Sequence, residues 1–228
     1  KKSVMNKDEE QIVVFDFDKT ITSTDTFTRL IVFLIKQTFW RQCFAIPFLP
    51  IIYSLKLFNV TKPYAVSLGL WVASVGQSRR SLIKLIKSYV KQNKVEGMCD
   101  VMRKRAIYSI TLHLMFGHHI VIASASSRIW IKHFLGPAIS SQVTIIGSRL
   151  QYRWKGLVLK SWCYGEEKLE HFARCGMPLP NLRTIYSDST TDMALMDRAY
   201  NRCFINISAG EQKKLEANGN FYFLQWSY

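Results

Sequence analysis

The segment I-V-V-F-D-F-D-K-T, residues 12–20, begins as an apolar run and ends in two carboxylates separated by one residue. Four consecutive apolar residues, most of them β-branched, predict a buried strand of a parallel sheet. Asp16 and Asp18 follow directly, where that strand ends. Ligands of open α/β sheets bind beyond the carboxyl ends of the strands. The two aspartates therefore occupy the position expected of a catalytic pair.

Placing two carboxylates so close together in a partly dry site is unfavourable. Each negative charge raises the pKa of the other unless a cation lies between them. Carboxylate and carbonyl oxygens are the preferred ligands of hard divalent metals, so the pair suggests a bound metal ion. The alternative is a strand that ends in a polar turn, in which Asp18 and Thr20 make local backbone hydrogen bonds.

Two further predicted strands end in small polar residues. Ile120–Ala123 is followed by Ser124 and Ser126, and Thr184–Tyr186 is followed by Asp188. The carboxyl ends of parallel strands meet at one edge of a sheet, so these side chains are expected to share a site. Strands that alternate with helices along the chain predict an α/β fold with a doubly wound, Rossmann-like parallel sheet.

Two charged residues complete the expected site. Asp192 lies four residues after Asp188, one helical turn further on, so both carboxylates can face one crevice. Lys168, near the start of a helix predicted over Glu166–Cys175, offers a fixed cation. A carboxylate nucleophile, a hydroxyl, a lysine and a metal-binding carboxylate are the parts that phosphoryl transfer requires.

The flanking sequence predicts the remaining elements of the sheet. We expect a helix from Arg128 that stops before Gly136, a strand over Val143–Ile146, a separate hairpin of Leu150–Arg153 with Leu157–Leu159, and a last strand over Cys203–Ile207.

Four motifs carry a resemblance to a known superfamily. D-F-D-K-T (16–20), Ser124, Lys168 and Y-S-D-S-T-T-D (186–192) match, in order, the motifs of the haloacid dehalogenase superfamily of phosphatases. The insertion between the first two motifs resembles the helical cap of the phosphoserine phosphatase-like branch, as does C-Y-G-E-E-K (163–168). F-A-I-P-F-L-P-I-I (44–52) and L-G-L-W (68–71) are similar to the bacterial phosphatidylglycerophosphatase C group.

The resemblance implies a role for each motif residue. Asp16 would attack phosphorus, and Asp18 would protonate the leaving alcohol and later activate water. Mg²⁺ would be held by Asp16, the backbone carbonyl of Asp18 and Asp188, with Asp192 supporting the metal shell or orienting the lysine. The phosphoryl oxygens would contact Thr20, Lys168 and a serine of the second motif, for which Ser124 is the first candidate and Ser126 the second. Lys19 stands where many members carry glycine, and its backbone N–H would still serve the phosphate.

The resemblance also implies two domains: an α/β core of residues 1–21 and 98–228, and a helical cap of residues 22–97. Within the cap, residues 42–78 are strongly apolar, with uncharged runs at 42–55 and 63–78. Neither run reaches the ~18–20 apolar residues that a membrane-spanning helix needs, and Pro47 and Pro50 interrupt the first. An interfacial or re-entrant hairpin is expected, and a buried helical pair is the alternative.

The formal net charge of +15 would concentrate anions such as phosphorylated substrates, acidic lipid headgroups or nucleic acid. Nucleic acid is not an expected partner, because the chain lacks the interleaved aromatic and basic residues of single-strand binders. Five scattered cysteines without a C-x-x-C pair argue against a disulfide framework and for a reducing compartment.

The leading expectation is a Mg²⁺-dependent phosphomonoesterase that dephosphorylates phosphatidylglycerophosphate through a phospho-aspartate. It would act at the cytoplasmic face of a bacterial inner membrane, peripheral or partly inserted, with the anionic membrane surface as its partner. One alternative is a cytoplasmic phosphatase of a small phosphorylated metabolite such as phosphoserine. Another is a catalytically silent module that binds a membrane surface or nucleic acid. The sequence leaves the oligomeric state open.

Overall fold

The computed structural model describes residues 11–92, 94–95, 98–99, 101–177 and 182–227. The strands are β1 (Ile12–Phe15), β2 (Lys94–Val95), β3 (Met98–Cys99), β4 (His119–Ser127), β5 (Thr144–Arg153), β6 (Gly156–Ser161), β7 (Leu182–Ser187), β8 (Asn201–Ile205) and β9 (Tyr222–Leu224). Strands β2 and β3 form a small antiparallel pair. The other seven form one sheet in the order β6-β5-β4-β1-β7-β8-β9. All neighbours in this sheet run parallel except β5 and β6.

The helices of the described residues are α1 (Thr26–Ile35), α2 (Phe39–Ala45), α3 (Leu49–Lys56), α4 (Lys62–Ser74), α5 (Arg79–Gln92), α6 (Lys104–Met115), α7 (Arg128–Ser140), α8 (Glu167–Arg174), α9 (Met193–Met196) and α10 (Ala209–Glu216). Short 3₁₀ turns cover Ile46–Phe48 and Thr190–Asp192.

Strand β1 lies at the centre of the sheet, between β4 and β7, and all four of its residues are buried. Val13 and Phe15 belong to one apolar cluster, and Ile12 and Val14 belong to another. Successive side chains of a strand point to opposite faces, so β1 supplies both layers of the core. The prediction of a doubly wound, mostly parallel α/β sheet is confirmed.

Helices α1 to α5 follow β1 and form the predicted helical insertion. Asp25 caps α1, because its carboxylate accepts a hydrogen bond of 2.9 Å from Thr28 N–H. Pro47 lies in the 3₁₀ turn and Pro50 in the first turn of α3, positions where a missing backbone N–H is tolerated. Within the part of the chain that the structure describes, every helix is too short or too polar to cross a bilayer.

The two uncharged runs of the cap differ in their surroundings. Helix α4, in the second run, buries Ala65, Leu70 and Val72, whereas α3 has no fully buried residue. Helix α4 packs against α1, α3 and the β5–β6 hairpin. The predicted apolar segment is therefore divided into one buried helix and one exposed helix. The domain boundary predicted between residues 97 and 98 falls next to residues 96, 97 and 100, which lie outside the described residues.

Hydrogen bonds fasten α4 to the β5–β6 hairpin of the core. Leu157 N–H donates to Ser74 Oγ at 2.7 Å, and Leu159 N–H donates to Ser67 Oγ at 3.2 Å. The indole N–H of Trp71 donates to the carbonyl of Trp154 at 3.0 Å. Helix α4 is thus held in place beside the carboxyl end of the sheet.

Several predicted element boundaries differ from the structure. Residues 144–153 form one continuous strand, because the strand and the hairpin arm, predicted as separate elements, join into a single ladder. The helical turns resume after Gly136, which has a φ of 73° and produces a kink. Strand β8 covers Asn201–Ile205 rather than 203–207, and β9 was not predicted at all.

Candidate active site

The predicted strand ends converge on one cavity of about 240 Å³. It is lined by seven of the eight predicted site residues: Asp16, Asp18, Ser124, Ser126, Lys168, Asp188 and Asp192. Thr20, the eighth, is fully buried behind the cavity wall, and its hydroxyl donates to Asp188 Oδ1 at 3.4 Å. Strand register explains the convergence, because Phe15 pairs with Ile122 on one side and Tyr186 on the other. The residues that follow these pairs therefore meet at the same level, although β4 is longer than predicted and includes Ser124 and Ser126.

Lys168 lies at the centre of the site. Its Nζ is 2.9 Å from Asp16 Oδ1 and 2.6 Å from Asp192 Oδ1, and all three side chains are largely buried. The first turn of α8 carries Lys168 into the sheet edge. An ammonium with two carboxylate partners is rigidly placed, since the hydrogen bond to Asp16 and the ion pair with Asp192 both restrict it.

Asp192 is held by residues of its own motif. Ser187 Oγ donates to Asp192 Oδ2 at 2.7 Å, and Ser189 N–H donates to Ser187 Oγ at 3.1 Å. Both oxygens of Asp192 are therefore engaged, one with Ser187 and the other with Lys168. Of the two roles that the resemblance implies for Asp192, this geometry supports orientation of the lysine.

Asp18 faces a different set of groups. Its Oδ1 accepts hydrogen bonds of 2.7 Å from both the backbone N–H and the hydroxyl of Thr26. Its Oδ2 accepts from Ser126 Oγ at 2.5 Å and, at 3.4 Å, from Ser124 Oγ. Asp18 is thus fixed by a set of groups separate from the cluster around Lys168.

The turn after β1 places both aspartates. Residues Phe17–Ile21 form one wide turn, closed by Thr22 N–H donating to the carbonyl of Phe17 at 3.0 Å. Lys19 has a φ of 60°, in the left-handed region that glycine occupies without a Cβ penalty. The backbone therefore explains why glycine is common here in the superfamily that the motif resembles, and shows that lysine accepts the same conformation.

Burial is the largest cause of the pKa shifts of the carboxyl groups in the site. It raises the pKa of Asp16 well above its ordinary value, although Lys168 opposes that shift. It raises the pKa of Asp188 to about 6, with Lys19 opposing, and it also raises the pKa of Asp18. Burial disfavours the charged form of Lys168, but Asp16 and Asp192 raise the pKa of this lysine above its usual range.

The donor set fits a hard divalent cation. Burial raises the pKa of both the Asp16 and the Asp188 carboxyl groups. The negative charge of Asp188 raises the pKa of Asp16 further. A bound cation would relieve both effects. Among the described residues, no three His, Cys, Asp or Glu side chains converge to hold a metal on their own. Mg²⁺ needs only one or two carboxylates, since it retains waters and binds phosphate oxygens.

Four contributing residues were not predicted from the sequence. Thr26 binds Asp18, Ser187 binds Asp192, and the rings of Trp162 and Tyr164 stack at 4.4 Å beside the cavity that they line. In the sequence, two of them could have been found only from their position within a motif. Ser187 lies inside the last motif, and Tyr164 lies inside C-Y-G-E-E-K.

Known structures share this fold. A protein of unknown function from Bordetella pertussis Tohama I is 17% identical with a TM-score of 0.76, over 95% of this chain and 99% of that chain. A substrate-bound phosphoserine phosphatase complex is 11% identical with a TM-score of 0.57, over 90% of each chain. Cytosolic 5′-nucleotidase IIIB bound to cytidine is 12% identical with a TM-score of 0.58, over 95% of this chain and 81% of that one.

At these identities the structural likeness establishes the fold, and the sequence establishes the family. Residues 13–197, which include all four motifs, match the haloacid dehalogenase-like hydrolase family. The prediction of an enzyme, a phosphoric monoester hydrolase of this type, is confirmed at the level of family and fold. The finer resemblance to the phosphatidylglycerophosphatase C group stays a prediction. The chain belongs to the haloacid dehalogenase-like hydrolase family.

Proposed function

We propose that the protein is a Mg²⁺-dependent phosphomonoesterase that works through a phospho-aspartate on Asp16. The observation that carries the proposal is the buried bridge from Asp16 through Lys168 Nζ to Asp192, at 2.9 and 2.6 Å, in the cavity that Asp18 and Asp188 also line. A nucleophile, a fixed cation and a second carboxylate in one cavity are the requirements of phosphoryl transfer.

In the first step, a carboxylate oxygen of Asp16 attacks phosphorus, and the bond from phosphorus to the leaving oxygen breaks. Asp18 gives its proton to that oxygen, so the product leaves as a neutral alcohol. In the second step, water attacks the phosphorus of the phospho-aspartate, the bond from phosphorus to the Asp16 oxygen breaks, and Asp18 takes up a proton of the water. Inorganic phosphate leaves and the Asp16 carboxylate is restored.

The chain's own groups prepare these steps. Lys168 orients the Asp16 carboxylate and, with the Ser124 hydroxyl, faces the phosphoryl oxygens. Mg²⁺ would be held by the carboxylates of Asp16 and Asp188 and the backbone carbonyl of Asp18. When bound, it supplies neutralisation of the negative charge on the phosphoryl group.

For the substrate class we propose a lipid phosphate, with phosphatidylglycerophosphate as the first candidate. Among the described residues, eleven of the twenty exposed large hydrophobic side chains lie within residues 39–64. We call this set the apolar cap surface: Phe39, Trp40, Phe44, Ile46, Leu49, Ile51, Tyr53, Leu57, Phe58, Val60 and Tyr64. Exposed apolar patches of this kind mark protein or membrane contacts.

The charge of the cap supports an anionic lipid surface as the partner. Residues 26–92 contain ten lysines and arginines and no aspartate or glutamate. Apolar side chains beside basic ones are the pattern of proteins that lie on anionic membranes. We propose that the enzyme binds peripherally to the cytoplasmic face of a bacterial inner membrane.

The alternative is a cytoplasmic phosphatase of a small metabolite such as phosphoserine. The modest cavity of about 240 Å³ favours it, as does the fold shared with a substrate-bound phosphoserine phosphatase. In this case the apolar cap surface would serve a purpose other than substrate recognition.

Phosphate release decides between the two substrates. The unmodified protein would be assayed on phosphatidylglycerophosphate in mixed micelles and on phosphoserine at equal concentration, each with Mg²⁺ and with a chelator. We expect Mg²⁺-dependent release and a strong preference for the lipid. Preference for phosphoserine would keep the chemistry and reject the lipid substrate. No release from either ester would reject the phosphatase proposal.

A further inference from the structure

A chain of hydrogen bonds leads from the core helix α7 to Asp18. The indole N–H of Trp130 donates to Thr26 Oγ1 at 3.0 Å, and Thr26 Oγ1 is in turn 2.7 Å from Asp18 Oδ1. Thr26 and Trp130 are each only 1% exposed, so water does not compete for these groups. Thr26 is the first residue of α1, the first helix of the cap.

The direction of these bonds follows from the chemistry of the groups. An indole N–H can only donate, so the Thr26 hydroxyl must accept from Trp130. The hydroxyl has one proton, and that proton then points at Asp18 Oδ1. The Thr26 backbone N–H donates to the same oxygen at 2.7 Å. Oδ1 is thus held by two donors of Thr26, whereas Oδ2 accepts from the cavity-lining hydroxyls of Ser126 and Ser124 and is the oxygen that we assign to the reacting group.

Packing fixes the indole from both domains. The Trp130 ring lies edge-on to Phe134 of α7, with ring centroids 4.6 Å apart, and is 5.5 Å from the ring of Tyr89 on α5. Tyr89 also contacts Phe33 of α1, with centroids 4.7 Å apart. Aromatic contacts of this type favour a defined ring orientation. The donor that sets the Thr26 hydroxyl therefore has little freedom to rotate.

We propose that Trp130 and Thr26 are positioning residues, which hold the Asp18 carboxylate in the orientation that delivers a proton to the leaving alcohol. The inference rests on the proposed function, since it assigns Asp18 the role of general acid. It adds a requirement that the motifs do not contain: one helix of the cap and one helix of the core must both be in place before Asp18 is aligned.

The test compares two leaving groups. p-Nitrophenolate departs without a proton, whereas an alkyl alkoxide needs one, so only the alkyl ester depends on an aligned acid. The alkyl ester is whichever of phosphatidylglycerophosphate and phosphoserine the unmodified enzyme prefers. For Thr26→Val we expect kcat/KM to fall about 10- to 100-fold on the alkyl ester and less than about threefold on p-nitrophenyl phosphate.

Two further variants separate positioning from folding. Thr26→Ser keeps the hydroxyl and both hydrogen bonds, so we expect it to restore the wild-type ratio of the two activities. Trp130→Phe keeps a ring and removes the indole donor, so we expect a smaller fall that again affects the alkyl ester selectively. Thr184→Val is the matched control, because Thr184 is buried and its hydroxyl accepts from Asn201 at 3.2 Å outside the cavity.

The outcomes are distinct. Equal losses on both esters in Thr26→Val and Trp130→Phe would overturn the inference, and so would unchanged activity on both. A change of ratio in Thr184→Val as large as that in Thr26→Val would also overturn it. If the unmodified enzyme hydrolyses neither ester, the proposed function fails and this inference fails with it.

Discussion

In folded proteins, charged side chains are usually exposed and large apolar ones are usually buried. The active-site cavity and the apolar cap surface depart from this pattern in opposite directions. In the cavity, the charged side chains of Lys168, Asp16 and Asp192 are only 4%, 13% and 2% exposed. On the cap, Trp40 and Val60 are 82% and 83% exposed. One region places charges away from water, and the other places large apolar groups in it.

The difference shows where each region finds its partners. Buried charges are tolerated only when they are paired and hydrogen-bonded, and Lys168 is paired within the protein itself. Exposed apolar groups gain less from folding than buried ones, so the proposed function assigns the apolar cap surface a partner outside the chain. The charges of the cavity are thus satisfied within the fold, whereas the role of the apolar cap surface rests on the proposed membrane contact. Four measurements test this contrast, from the largest expected effect to the smallest.

Replacement of Asp16 by Asn tests the chemistry of the cavity. The amide has nearly the same shape but cannot attack phosphorus, so we expect turnover to fall by at least about 1,000-fold while the fold is retained. Phosphate release and circular dichroism measure the two effects. Asp197→Asn is the control, because Asp197 is exposed and outside the cavity. An Asp16→Asn enzyme with most of its activity would contradict the mechanism.

Replacement of Lys168 by Met tests the pairing of the buried charges. It leaves Asp16 and Asp192 without their cation, and removal of one partner from a buried ion pair costs about 3–5 kcal/mol of unfolding free energy. Urea denaturation at pH 7.5 in the presence of a chelator measures this loss. The more exposed pair of Arg202 and Asp197, 3.3 Å apart, supplies the control, since Asp197→Asn should cost less than about 1 kcal/mol. If Lys168→Met and Asp197→Asn lowered the free energy of unfolding equally, the contrast between buried and exposed charges would be contradicted.

Replacement of exposed cap residues tests the external partner. Trp40, Ile46 and Phe58 are 82%, 62% and 67% exposed, so their joint change to Ser should leave thermal stability nearly unchanged. We expect binding to vesicles that contain phosphatidylglycerol to weaken about 10- to 100-fold in co-sedimentation. Phe48 is left intact because its ring contacts Trp71, with centroids 6.1 Å apart.

The control for the vesicle measurement is Tyr200→Ser, which removes an aromatic residue outside helices α1 to α5 that is 83% exposed. Binding that weakens equally in both proteins would indicate a general loss of surface hydrophobicity. Binding that is unchanged in the triple variant would mean that this surface does not contact lipid.

His113 lies outside both regions, and it gives the smallest of the four expected effects. Burial lowers the pKa of His113 from 6.5 to about 4, with the nearby His118 contributing. Between pH 4 and pH 6.5 the unfolded chain therefore binds more protons than the folded protein does. The contribution of the neutral histidine to the free energy of unfolding is fully present above pH 6.5 and is lost as the pH falls toward 4. Because His113 is only half-buried, we expect a loss on the order of 1 kcal/mol.

Urea denaturation from pH 7 to pH 4 measures this effect, with His113→Gln as the control that cannot take up the proton. The difference in unfolding free energy between the two proteins should change across this range. Parallel curves would show that the histidine environment contributes nothing to the pH dependence.

The sequence predicted the centre of the fold and most of the site, for a definite reason. Strand β1 is apolar throughout, its end is marked by Asp16, and parallel strands bring their carboxyl ends together. Residues near the carboxyl ends of strands can therefore be identified one strand at a time, although Asp18 and Ser124, whose side chains meet, lie 106 positions apart. The roles of the matched residues came from the resemblance to a known superfamily.

Contacts between distant elements could not be predicted in this way. Thr26 and Trp130 are 104 positions apart and belong to no motif, so nothing in the sequence pairs them. Strand β9 has three residues and pairs at the edge of the sheet, too short for a periodic signal. The two uncharged runs of the cap are similarly apolar, and composition does not show which of them is covered.

The sequence by itself determined the layered α/β core, the carboxylates that line the cavity and the basic, apolar character of the cap, since these follow from local pattern and from residue type. The tertiary structure alone decided that α4 is buried against the β5–β6 hairpin while α2 and α3 expose their apolar side chains. It also decided that Asp18 is held by Thr26, whose hydroxyl accepts a hydrogen bond from Trp130. The physical reason is that burial and hydrogen-bond partners depend on which distant surfaces meet, and that is settled only when the chain has packed.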